Sequence, residues 1–206
     1  MSGAFPISSA KFGTLGIKSI QNTIISKTVS GKKLARQIDN QRWAFTVQII
    51  TGTRSSTYGE LMAFIVKQRS GKENFTIIPP EIADARGNET NTVLVNGDHA
   101  VGDTTIAMDG HHNDNPHAFK SGDFIKFASH SKVYMIVADV QASSNASTVT
   151  IEPPLISTVA NDSIVTYDNV PFTVHLTNDI QEFGVSGADN EGKLYYEYQF
   201  DVEETL

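Results

Sequence analysis

Residues 119–140, FKSGDFIKFASHSKVYMIVADV, alternate apolar and polar positions on both sides of a short polar tip, the pattern of a β-hairpin. In its second arm Val133, Met135 and Val137 fall on one side, Tyr134, Ile136 and Ala138 on the other. Both sides are apolar, which predicts a strand covered on both faces, as in a closed barrel that also packs on something else. TVLVNG, GDTTIAMDG, STVTIEPPL and SIVTY surround this hairpin as further β-forming runs, punctuated by Gly, Asp, Asn and Pro about every ten residues. That cadence predicts an all-β sandwich or small barrel. Upstream, Arg42 to Ile50 place Trp43, Phe45, Val47 and Ile49 on one face, a half-buried strand that is the second of two β-rich stretches between Asn22 and Ile50.

The period then lengthens to 3.6 in SSTYGELMAFIVKQRSGK, with Tyr58, Leu61, Met62, Ile65 and Val66 on one side. This predicts a helix near 56–69, opened by a capping box of Thr57 with Glu60 and stopped at Gly71. NFTIIPPEI follows as a strand that ends at Pro79-Pro80, because proline cannot donate to a sheet ladder. Residues 1 to about 20 read as an extended arm anchored by Phe5, Ile7, Phe12, Leu15 and Ile17. Downstream come FTVHLTNDIQEFG, a turn through VSGADNEG, and KLYYEYQFDVEE, whose Leu194, Tyr196, Tyr198 and Phe200 share a face. The acidic ending DVEETL reads as a solvated terminus.

At 206 residues, 39% hydrophobic and 19% charged, the chain is long enough for one ordinary core or two small ones. The absence of cysteine excludes disulfides, thiol chemistry and thiolate metal sites, and fits an intracellular or virion setting at least as well as secretion. MSGAFPISSAKFG carries neither a basic n-region nor an apolar core, and no apolar run approaches the roughly 20 residues of a membrane span. The four sequons at Asn74, Asn88, Asn145 and Asn161 then read as chance. A formal net charge of −7 disfavours phosphate-backbone binding, which needs clustered cations.

The residues with most chemical potential lie in MDGHHNDNPH, where His111, His112, Asp114 and His117 follow Asp109. Imidazole and carboxylate suit zinc or nickel, but the spacing matches no ligand motif and a polar hairpin tip reads the same way. His130 and His175 are possible general bases without a recognisable nucleophile signature beside them. SGKKLA holds a lone Gly-Lys without phosphate-loop spacing. Trp43 and the tyrosines at 195, 196 and 198 could stack on a sugar, although their alternation favours core packing. No catalytic, cofactor-binding or metal site is assigned on these grounds, and no enzymatic activity is expected.

Two stretches carry a family resemblance. RWAFTVQIITGTRSSTYGELMAFIVKQRSGKENFTIIPP, through its R-W-x-F-T strand and G-E-L-x-A-F helix, resembles the tail-tube-like module of the distal tail proteins of long-tailed phages. The run from GDTTIAMDG through FKSGDFIKFASHSKVYMIV and VTIEPPL to NVPFTVHL resembles the oligonucleotide/oligosaccharide-binding (OB) fold inserted in the tail-tip protein of one coliphage group. The resemblance implies a mainly β protein: a discontinuous tail-tube-like β-sandwich or barrel domain (1–83 and 172–206) with one α-helix, plus an inserted small OB-like barrel (84–171). It further implies a virion protein of the phage tail tip, assembled in the host cytoplasm. Its partners would be five further copies in a homohexamer, the tail tube protein and the baseplate hub protein, with DNA only as cargo in the lumen. Two rival expectations stand beside it. One is a carbohydrate-binding module using Phe119, Tyr134 and Tyr167; the other is a metal-dependent hydrolase built on the histidine loop.

Overall fold

The computed structural model describes residues 3–7 and 11–206; the extended arm expected over residues 1–20 lies outside the described residues at 1, 2 and 8–10. β1 (Phe12–Ile20) runs antiparallel along β4 (Arg42–Thr53), with Ile20 opposite Arg42. Between them β2 (Thr23–Lys27) and β3 (Lys33–Gln37) form a separate two-stranded hairpin. A π-helical turn (Arg54–Tyr58), helix α1 (Gly59–Lys67), a 3₁₀ turn (Ser70–Lys72) and β5 (Phe75–Ile77) follow. The chain then makes six strands: β6 (Val93–Val95), β7 (Thr105–Asp109), β8 (Phe124–Phe127), β9 (Val133–Ile136), β10 (Ala146–Glu152) and β11 (Ile164–Thr166). It ends in β12 (Phe172–Leu176), β13 (Gly184–Ala188) and β14 (Leu194–Glu204).

Two sheets result. One has the order β1-β4-β14-β12-β5, with β13 beside the first half of β14; the other is a closed barrel, β10-β7-β6-β11-β8-β9. The period-two faces seen in sequence decide the first core. Trp43, Phe45, Val47 and Ile49 of β4 and Tyr198, Phe200 and Val202 of β14 are all buried, under Leu61 and Ile65 of α1. Phe5 plugs one end, its ring against Phe12, Phe64, Phe75 and Phe200. Its backbone continues the seal: Phe5 N donates to Thr76 O (2.7 Å) and Thr76 N to Gly3 O (3.1 Å), covering the outer margin of β5.

The doubly apolar hairpin is β8–β9, with Ile125 opposite Tyr134 and Phe124 opposite Met135. Ile125, Phe127, Tyr134 and Ile136 fill the barrel, whereas Phe124, Val133 and Met135 point out of it into the first core. One hairpin therefore serves two cores, which is why neither of its faces could be polar. Phe172 of the returning strand β12 meets Phe124 at 5.4 Å between ring centroids.

The helical region departs from expectation in three respects. The capping box does not form: α1 begins after Tyr58 with no side-chain cap, and the Thr57 hydroxyl instead accepts a hydrogen bond from Lys11 Nζ at 2.8 Å. The buried face differs from the expected one: Leu61, Phe64 and Ile65, spaced i, i+3 and i+4, turn to the core, and Val66 is 72% exposed. The chain reverses before Gly71, at Arg69 and Ser70, whose φ angles of 53° and 59° are left-handed. Gly71 serves a different need, since a Cβ there would lie 2.5 Å from the Leu176 carbonyl oxygen.

Candidate assembly surfaces

The histidine loop is fastened down from within. Gly110 turns the chain out of β7 at φ 82°, where any Cβ would strike the Thr92 carbonyl oxygen at 2.4 Å. His111 then swings inward until its side chain is wholly buried, with Nδ1 3.0 Å from Glu89 Oε2 and Nε2 2.7 Å from Ser147 Oγ. Glu89 also accepts from the backbone N–H groups of Thr90, Asn91 and His112 and from Asn115 Nδ2. Burial alone would raise its pKa, yet these donors together hold it down at about 2. An ionised Glu89 can only accept, so Nδ1–H donates to it, while Nε2 pairs with the Ser147 hydroxyl. Both ring nitrogens are thus engaged within the protein, and the loop is tied to β10.

The remaining loop residues diverge. His112 is exposed with Nδ1 near Asn113 O, His117 Nδ1 meets Lys120 Nζ at 3.1 Å, and Asp114 accepts from Ser144 N. Among the described residues no group of three His, Asp or Glu is placed to hold a metal ion. Neither Glu89 nor Ser147 stood out in sequence, because they lie 22 and 36 residues from the histidine they hold.

The aromatic candidates for sugar stacking also turn inward. Phe119 and Tyr134 are completely buried in the barrel, and Tyr198 is buried in the other core. Tyr167 is half-buried and lines a groove with Asn91 and Ile164, its hydroxyl donating to Asn91 O at 2.6 Å. Tyr196 is half-buried beside Tyr58, and Tyr195 keeps more than a third of its surface exposed. His130 Nε2 lies 2.9 Å from the Tyr134 hydroxyl, and burial, then Lys126 and Lys132, depress its pKa. His175 Nδ1 meets Thr205 Oγ1 at 2.9 Å.

The acidic ending is not a solvated tail. Glu204 is buried and receives Lys132 Nζ at 2.5 Å, Val133 N at 2.8 Å and Trp43 N at 3.1 Å. Trp43 Nε1 returns a bond to Val133 O at 2.9 Å, and Gln41 Oε1 accepts from Lys132. Lys126 Nζ adds a bond to Pro171 O at 3.1 Å. Burial raises the pKa of Glu204 and lowers that of Lys132, each opposed by the attraction between them. This joint fixes the barrel hairpin to β4 and β14.

What the fold leaves uncovered lies elsewhere. Every residue of β2 and β3 is exposed, and the hairpin with its flanks presents Ile24, Ile25, Val29, Leu34 and Ile38 to solvent. A two-stranded hairpin alone is marginal in water. The margin of β1 facing away from β4 has no strand on it among the described residues. At the far end of the sheet, Ile180, Val185 and Leu194 are exposed around β13 and the start of β14.

Residues 81–170, which include the whole barrel, match the family model described as "Distal tail protein pb9, B domain". No curated protein matches the chain.

Proposed function

We propose that the chain, whose residues 81–170 match a domain of a phage distal tail protein, is a structural protein of the virion tail that forms a homohexameric ring at the tail tip. The ring would join the last ring of the tail tube to the baseplate hub and let DNA pass through its lumen. In this reading the main-sheet segments, 1–83 and 172–206, are the ring-forming domain, and 84–171 are an OB-like barrel carried on it.

The observation that supports the ring most directly is the β2–β3 hairpin, whose residues are all exposed among the described residues and whose aliphatic side chains stand in water. Large exposed apolar surface marks an interaction site. The open margin of β1 adds a row of backbone groups that a neighbouring copy can pair. A net charge of −7 suits a bore through which a polyanion slides without sticking. The test is the mass of the purified protein by light scattering over a range of concentrations, with negative-stain imaging. Sixfold rings are expected; a monomer at every concentration would overturn the reading.

A further inference from the structure

The uncovered hairpin has a definite chemistry. Residues 21–38 carry Lys27, Lys32, Lys33 and Arg36 and no acid, in a chain whose balance is −7. Lys27 and Lys33 are direct cross-strand partners, so the two ammonium groups repel one another in the free hairpin. An acidic surface would relieve that repulsion, and an aliphatic one would cover the isoleucines.

The same chain offers such a surface. Residues 177–201 hold Asp179, Glu182, Asp189, Glu191, Glu197 and Asp201 against the single cation Lys193. Four of these acids, at 179, 182, 191 and 197, are exposed. Ile180, at 86% exposure, and Val185, at 54%, stand among them.

Asp201 lies opposite Thr46, but the β13–β14 hairpin itself stands at the opposite end of the sheet from the basic one. The basic hairpin leaves the sheet at Ile20, which pairs with Arg42 at the start of β4; the acidic hairpin sits at the other end, where Tyr195 pairs with Thr53. Twelve residues of β4 separate them, roughly 36 Å at about 3.3 Å per residue. Complementary surfaces at opposite ends of one rigid strand make a head-to-tail contact, which propagates from copy to copy until a ring closes.

We propose, resting on the ring reading above, that the β2–β3 hairpin of one copy seats on the acidic β13–β14 hairpin of the next, ammonium groups on carboxylates and isoleucines on Ile180 and Val185. Phosphates would attract the same four cations, but the aliphatic side chains between them have no counterpart on a polyphosphate. The contact is electrostatic at its rim and therefore weakens as salt rises.

The experiment uses the full chain and charge reversal on each surface: Lys27→Glu with Lys33→Glu on one, Glu182→Lys with Glu191→Lys on the other. All four positions are exposed, and circular dichroism verifies that each variant keeps the wild-type melting curve. Each reversed protein is expected to need at least tenfold more protein for half-assembly, and an equimolar mixture of the two to assemble better than either alone. In the wild type, zero-length carbodiimide coupling between isotopically labelled and unlabelled copies should join the lysines at 27, 32 and 33 to the acids at 179–197. Undiminished assembly of both reversed proteins, or intermolecular coupling that maps elsewhere, overturns the contact while the ring reading stands. Assembly that dissolves under nuclease also overturns it, in favour of a nucleic-acid bridge. A wild type that stays monomeric removes both.

Discussion

Glu204, on β14, takes donors from one neighbouring strand of its own sheet and from a hairpin of the other: Trp43 N, Lys132 Nζ and Val133 N. With Lys132 and Glu204 side chains both fully buried, the attraction offsets a large desolvation cost, and neither charge is tolerable without the other. Lys132→Met or Glu204→Gln alone is expected to cost about 3–5 kcal/mol in urea unfolding, and the pair Lys132→Met with Glu204→Leu markedly less than the two singles combined. Glu89 makes a pH-dependent contribution of the ordinary carboxylate sign. Its carboxyl titrates at about 2 in the fold against 4.5 when free, so between those values the unfolded chain binds the extra proton. Its stabilisation is complete above about 4.5 and is lost as pH falls towards 2. The difference in unfolding free energy between the wild type and Glu89→Gln should therefore shrink by up to roughly 3 kcal/mol over that window.

At the scale of elements, periodicity located the strands from β4 to β12 and β14, whereas β1 was read as an extended arm, β2 and β3 as one β-rich stretch and β13 as part of a turn. The six punctuated runs between Thr92 and Tyr167 are the six barrel strands, and the two-sided apolarity of the run beginning Lys132-Val133-Tyr134 did announce two cores, since Val133 and Tyr134 face different ones. Helix α1 was located but misoriented, because the expected stripe took in Val66 where the 3.6 period around Leu61 and Ile65 runs instead through Phe64. Phe64→Ala should accordingly cost about 2–3 kcal/mol in thermal unfolding, while Val66→Ala stays within about 0.5. The fastening of the histidine loop was invisible in sequence and the ending at Glu204 was misread, for a shared reason. What captures His111 is Glu89 and Ser147, and what captures Glu204 is Lys132, Val133 and Trp43, groups far away in sequence that no local pattern brings together. The β2–β3 hairpin, by contrast, was legible in its β-forming runs but not in its exposure, for an aliphatic strand awaiting a neighbour looks in sequence like one already covered.

For the whole molecule, stability and the proposed assembly contact draw on different places. Ile24 and Ile25 are each more than half exposed and touch neither core, so Ile24→Ser with Ile25→Ser should leave the melting temperature within a degree or two and lower the mass measured by light scattering. The barrel segment is bound to the rest in the opposite sense. Its two crossing points lie side by side, Val170 N donating to Ala83 O at 3.0 Å and Ala85 N to Asp168 Oδ1 at 3.1 Å, so a short turn could span the gap if the segment were cut away. The same excision would strip Phe124 and Val133 from the remaining core and orphan the Glu204 carboxylate. Geometrically the segment is a detachable cassette; energetically it is a keystone, and any exchange of it must carry its own replacement for the lysine and the outward-facing apolar side chains.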